Sequence, residues 1–149
     1  MIDISSKDVV ERTATASGVI RLRNSTLESI RRGDNRKGNV LETSRIAGMQ
    51  AAKRTWDTVP YCHQIPISSV NLDFGLGENS IKVSCTVKAL YKTGVEMEAI
   101  SCVQAALITI WDMVKYLEKD DSGQYPETEI EKVRVENKSK REIDASQDR

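Results

Sequence analysis

The sequence is poor in aromatic side chains, net charge, histidine and long apolar runs, and each shortage excludes something. Aromatics make up 5% of the 149 residues, with a single phenylalanine, Phe74. An RNA-binding sheet needs several rings on which bases stack, so that class is excluded. A core with so few rings is built from aliphatics and alanine. Small side chains let helices approach closely, and a thin core is often completed by assembly, so an oligomer is expected. Lys+Arg and Asp+Glu are 22 each, giving a formal net charge of zero. Bulk charge therefore does not hold nucleic acid, and little net repulsion opposes self-association. The longest apolar stretch, near Ala105–Trp111, is far shorter than the roughly 20 residues that cross a bilayer, so no membrane partner is expected. The opening Met1-Ile2-Asp3-Ile4 has no basic region followed by an apolar run, and no signal peptide is expected. The three cysteines, Cys62, Cys85 and Cys102, are odd in number and far apart. They form neither a disulfide framework nor a CxxC zinc pattern, so reduced thiols and a cytoplasmic location are expected, with no metal site.

What is present is a globular profile: 39% hydrophobic, 30% charged and a mean hydropathy of −0.44. At 16.7 kDa the chain makes one domain, read here as residues 1–138 with a disordered tail over 139–149. A chain of this length buries about two-thirds of its unfolded surface without staples. Thr13–Leu22 is rich in small and β-branched residues and reads as a strand. Ser25 and Glu28 have capping-box spacing, and Gly33 closes the short helix they would open. A second helix is expected over Asn39–Lys53, with Val40, Ala47 and Ala51 inward and Gly48 allowing close approach. The stretch Thr55–Pro66 holds two prolines and reads as a structured loop. Val70, Leu72 and Phe74 alternate with polar residues, as do Ile81, Val83, Cys85, Val87 and Ala89, which predicts a hairpin turning at Gly75–Asn79. After Gly94, Ala99, Val103, Leu107, Ile110, Val114 and Leu117 recur at helical spacing up to Glu118. A last strand is expected around Ile130–Val135, with fraying after Lys138. Merging the two early helices gives β-α-β-β-α-β, an α+β ferredoxin-like fold with an additional helix and a four-stranded antiparallel sheet. One sheet face is left uncovered unless a second subunit packs there.

Several residues offer chemistry, and each has a plainer reading beside it. Arg31–Arg54 carries seven basic residues against two acidic. With Gly38 beside Lys37 this segment suits a phosphorylated small molecule, but it is not a Walker pattern and serves equally as a solvated helix face. His63 is the only histidine, and a lone histidine is more often structural. Its place in a rigid loop after a basic helix favours function. Glu96 and Glu98 are explained by favourable charge at a helix N-terminus. Asp112 and Lys115 share one helix face, either as an exposed ion pair or as an acid and a base that tune each other. Glu98 and Asp112 are 14 residues apart, about 21 Å on one helix. If both are functional, one site draws them from different subunits.

At these residues the sequence stops being generic. Lys37-Gly38-Asn39-Val40-Leu41, the run Ser44–Thr55, Pro60-Tyr61-Cys62-His63, Thr93–Ala99 and Trp111-Asp112-Met113-Val114-Lys115 stand in the order found in the MoaC family. Asp3–Lys7 followed by Arg12 also fits, and the resemblance covers about Asp3 to Lys138. It implies a lyase of molybdenum-cofactor biosynthesis, cyclic pyranopterin monophosphate synthase activity. The substrate would be the small molecule 3′,8-cyclo-7,8-dihydroguanosine triphosphate, rearranged to cyclic pyranopterin monophosphate with loss of pyrophosphate. The resemblance further implies a homohexamer, a trimer of dimers with sites at subunit interfaces. It makes Asp112 the catalytic acid/base with Lys115 as its partner. Substrate would be bound by Lys37, Lys53, Tyr61, Cys62, His63, Glu96, Met97, Glu98 and Lys138. No metal or redox cofactor is required; Mg²⁺ can accompany the triphosphate, and molybdenum itself enters later. Gln64 stands where the family usually has proline, Tyr61 for leucine, Asn39 for aspartate and Trp111 for tyrosine. The glycine-rich end of many members is replaced by Ser139-Lys140-Arg141-Glu142, which makes Lys138 the least secure match. The alternative is a non-catalytic nucleotide-binding module on the same fold.

Overall fold

A computed structural model describes residues 1–143. The order is β1 (Val10–Arg21), α1 (Asn24–Arg32), α2 (Val40–Lys53), α3 (Thr55–Thr58), β2 (Ile67–Leu76), β3 (Ser80–Tyr91), α4 (Glu96–Glu118) and β4 (Glu129–Arg141). The sheet order β2-β3-β1-β4, antiparallel throughout, is the ferredoxin-like arrangement. The expected hairpin forms with Leu72 opposite Cys85 and Phe74 opposite Val83.

Alternation decides the two sheet faces. Ile81, Val83, Cys85, Val87 and Ala89 of β3 are fully buried beneath α4, together with Ala14, Ala16 and Ile20 of β1. The other face is polar. Thr15 and Thr86 share a hydrogen bond of 2.8 Å, and Ser17 donates to Glu136 at 2.5 Å. Glu136 also pairs with Arg134, 3.1 Å away. The Ser17 hydroxyl, then Arg134, hold the Glu136 carboxyl down at about 2.

Several local expectations change. The capping box at Ser25 and Glu28 does not form: Arg23 is the N-cap of α1 and has no side-chain cap. Glu118, wholly buried at the end of α4, takes that role from across the core and accepts from the Arg23 N–H at 3.1 Å. Gly33 does close α1, at φ 71° in the left-handed region. In α2 the buried stripe is Val40, Ser44, Gly48 and Ala52, spaced by four, rather than Val40, Ala47 and Ala51. Small polar Ser44 hid that stripe from a hydrophobic pattern. Leu117 is only half-buried, and its expected inward place is taken by Glu118. The loop after α2 contains the one-turn α3. β4 runs past Val135 to Arg141, through the start of the segment expected to fray, because Ser139, Lys140 and Arg141 pair with Thr13, Arg12 and Glu11. Residues 144–149 of the expected tail lie outside the described residues.

The α2–α4 contact is as close as Gly48 suggests. A Cβ at position 48 would lie 2.8 Å from Leu72 Cδ2 and 2.9 Å from the Cys102 carbonyl oxygen. The carbonyl belongs to α4 and cannot swing away. Gly48→Ala is therefore expected to cost about 1–3 kcal/mol, the usual range for overpacking. Urea denaturation checks it; an unchanged midpoint would mean that the two helices can separate freely.

Candidate active site

Two groups of polar side chains sit toward opposite ends of α4. The first is built around Asp112. Lys115, one turn on, places Nζ 3.2 Å from Oδ1, and Lys37 places Nζ 3.2 Å from Oδ2. Lys37 also donates to the Asp112 carbonyl at 2.9 Å. The α1–α2 connection is fixed to deliver it. Buried Asn35 donates to the Met113 carbonyl at 3.0 Å and accepts from the Lys37 N–H at 2.8 Å. Arg36 lies over the Tyr116 ring at 5.0 Å, and its N–H donates to the Tyr116 hydroxyl. Asp112 thus stands between two ammonium groups. Hydrogen bonds from Lys115 first and Lys37 second hold its carboxyl below the usual range. Beside it opens a cavity of ≈ 250 Å³ walled by Ile108, Trp111, Tyr125 and Ile130, with the Trp111 and Tyr125 rings edge-to-face at 5.4 Å.

The second group lies where the loop after α3 meets the start of α4. Tyr61, Cys62, His63, Glu96 and Met97 line a cavity of ≈ 530 Å³ together with Ile2, Ile4 and Lys7. Glu96 folds back over Gly94, and a Cβ at position 94 would collide with its carboxylate. A side chain at position 94 would therefore displace the Glu96 carboxylate from this position. Glu96 Oε1 lies 3.1 Å from Lys138 Nζ. Burial pushes the Glu96 carboxyl up, but its own backbone N–H, Lys138 and Arg12 outweigh burial and hold it below the usual range. Glu98 behaves differently. It is 2% exposed, Oε1 has no partner among the described residues, and Oε2 accepts from the Cys62 thiol at 3.5 Å. Burial raises its carboxyl.

Of the sequence candidates, Lys37, Asp112 and Lys115 come together, as do Tyr61, Cys62, His63, Glu96, Met97, Glu98 and Lys138. Lys53 joins neither group. It lines a separate groove of ≈ 380 Å³ with Met49, Ile65 and residues 67–70, and Ile65 also borders the second cavity. Sequence reading missed Asn35 and Tyr116, and noted Arg12 only as part of the family resemblance, with no role. Arg12 is bonded to the Lys92 carbonyl at 3.4 Å, and its charge helps hold the Glu96 carboxyl down, a role its place in the sequence did not indicate.

Cys62 gives a direct test of this environment. Burial, then the Glu98 carboxylate, push its thiol up to about 11. Below the ordinary thiol range, an upward displacement of this size leaves about a hundredfold less thiolate. Alkylation by iodoacetamide at pH 8 should be correspondingly slow at Cys62 and should speed up in Glu98→Gln. Peptide mapping by mass spectrometry reads both rates; Cys62 reacting like a free thiol would contradict the packing.

The fold and site define a ferredoxin-like α+β protein with a lysine-flanked carboxylate at one end of α4 and a cavity bordered by Glu96, itself paired with Lys138, at the other. Sequence comparison makes this specific. The chain belongs to the MoaC family, whose model matches residues 1–141. It is 59% identical over 140 residues to a probable cyclic pyranopterin monophosphate synthase of Thermoplasma acidophilum, covering 94% of this chain and 98% of that one. A protein of the same description from Pyrococcus abyssi is 55% identical, covering 94% and 88%. A relative from Methanothermobacter thermautotrophicus, 52% identical and covering 96% and 90%, is described as a probable cyclic pyranopterin monophosphate synthase accessory protein.

Proposed function

We propose that this chain is a cyclic pyranopterin monophosphate synthase of molybdenum-cofactor biosynthesis. It converts 3′,8-cyclo-7,8-dihydroguanosine triphosphate to cyclic pyranopterin monophosphate and pyrophosphate. The observation that carries the reading is Asp112 held at 3.2 Å from both Lys37 and Lys115. The rearrangement needs protons removed from and returned to ring nitrogens and hydroxyls. Asp112, kept ionised by its lysines, starts as the base, and a lysine ammonium returns the proton. Pyrophosphate leaves with several negative charges, and fixed cations stabilise that departure. Lys37, Lys53, Lys115 and Lys138 supply them, and Tyr61, Cys62, His63, Glu96, Met97 and Glu98 line the substrate. No metal or redox cofactor is required, and Mg²⁺ enters only as a companion of the triphosphate oxygens. The protein works in the cytoplasm, a location supported by three free cysteines.

The test is direct: purified protein incubated with the cyclic dihydroguanosine triphosphate should release pyrophosphate and the pterin product. Folded protein that binds the compound without turning it over would instead favour a non-catalytic binding module.

The working form is a homohexamer, a trimer of dimers whose sites take Asp112 from one copy and the His63–Glu96 group from another. The support is α4 itself, one uninterrupted helix that keeps Glu98 and Asp112 about 21 Å apart. Asp112→Ala and His63→Ala proteins, each inactive alone, should regain about a quarter of wild-type activity when unfolded and reassembled together, the statistical share of intact sites in a symmetric oligomer. No recovery from well-mixed assemblies would place every site residue in one copy.

A further inference from the structure

The segment ahead of β1 has no part in the reaction as proposed, yet it is folded and tied down. Within it, the Ser5 N–H donates to Asp3 Oδ1 at 2.8 Å and the Lys7 N–H donates to the Ile4 carbonyl at 3.1 Å. Two side chains of the body hold its main chain. His63 Nε2 lies 2.8 Å from the Ile2 carbonyl, and Lys92 Nζ donates to the Ser5 carbonyl at 3.1 Å. A carbonyl oxygen only accepts, so His63 Nε2 carries the proton. Apolar burial contributes little to the position of this segment: Met1 and Ile2 are 77% and 79% exposed, and of its apolar residues Ile4 is the half-buried one. Its inner side nonetheless lines the cavity that holds Cys62, His63 and Glu96. A segment held by two hydrogen bonds over a cavity, with little buried surface of its own, opens at low cost.

We infer that Ile2–Lys7 is a strap forming one wall of the candidate site, latched by His63 and Lys92 and opened to admit substrate. The wall role rests on the substrate reading above; the latch does not. His63 is then a positioning residue for the strap as well as a lining of the pocket, and Lys92 gains a role that no sequence motif suggested.

Limited trypsin digestion of the full chain, followed by intact mass, reads strap opening as cleavage after Lys7. When opening is fast, the cleavage rate follows the population of the open form. Lys92→Met and His63→Phe should each speed that cleavage by about fivefold or more, with melting temperature unchanged. His63→Gln, whose amide still donates to the Ile2 carbonyl, should restore slow cleavage, and Lys92→Met carries the test by itself if His63→Phe folds poorly. The cyclic dihydroguanosine triphosphate should slow cleavage of the wild type. A wild-type rate in Lys92→Met, or in folded His63→Phe, would overturn the latch at that residue, and wild-type rates in both would overturn it altogether. Binding seen by calorimetry without any slowing would overturn the wall. Absence of binding would sink the substrate reading, while the latch still stands or falls on the rates without ligand.

Discussion

Asp112→Ala is expected to leave the fold intact and to lower turnover by roughly 10²–10⁴-fold, the usual contribution of a positioned proton-transfer group. The two halves of this result have separate causes. The Asp112 side chain is more than half exposed, and so is much of Lys37 and Lys115. Ion pairs in that setting contribute little to stability, because water screens them and ordering the long side chains costs entropy. Loss of the carboxylate therefore removes chemistry without removing support. The pH profile refines the test. With Lys115 and Lys37 holding the Asp112 carboxyl below its usual range, the base stays available into acid. The acid limb of kcat/KM should then lie below the ordinary aspartate value. Removing either lysine raises the carboxyl, so Lys115→Met should move that limb upward, and Lys37→Met should move it in the same direction by less. An Asp112→Ala protein with near-wild-type turnover would end the acid/base assignment.

Glu118→Ala should be strongly destabilising, by about 3 kcal/mol or more, because each buried donor left unpaired costs about 1–3 kcal/mol. Glu118 is wholly buried and closes a polar knot between three elements. Its carboxylate accepts from the Arg23 N–H, from the Thr26 hydroxyl on α1 and from the Thr128 hydroxyl ahead of β4, the last at 2.7 Å. Thr26 and Thr128 are themselves buried, so neither can turn to water. Against the 5–15 kcal/mol that usually separates a folded domain from its unfolded chain, this is a large fraction. Glu118→Gln keeps the shape and one acceptor oxygen and should cost less. Urea unfolding of the three proteins gives the order. A loss under about 0.5 kcal/mol for Glu118→Ala, the usual scale of a surface change, would show that water fills the knot.

The strands of the hairpin and the long helix were legible because their cause is local. Ile81, Val83, Cys85, Val87 and Ala89 alternate because one face of β3 is buried and the other is not. Ala99, Val103, Leu107, Ile110 and Val114 recur because α4 turns one stripe to the sheet. The site was legible as residue types in a familiar order, and Asp112 with Lys115 was legible as a pair, since three residues on a helix make one face.

Other features had no local cause. Nothing near Lys37 in the sequence says that Asn35 will fasten that turn to the Met113 carbonyl and set the ammonium against Asp112. Ser25 and Glu28 had the spacing of a cap, but a buried glutamate 95 residues from Arg23 accepts from the start of the helix instead. Ser44 looked like a surface residue until α4 closed over it.

Hydrophobic period and turn residues, which act between neighbours, by themselves determined the strands and the three longer helices, the antiparallel hairpin, the ferredoxin-like order and the side chains available for chemistry. Tertiary structure alone decided which charges meet, which glutamate is buried and which main-chain carbonyls His63 and Lys92 hold. The physical reason is that these contacts join residues tens of positions apart. Their geometry exists only after burial of the common core has brought α1, α4, β4 and the segment ahead of β1 together.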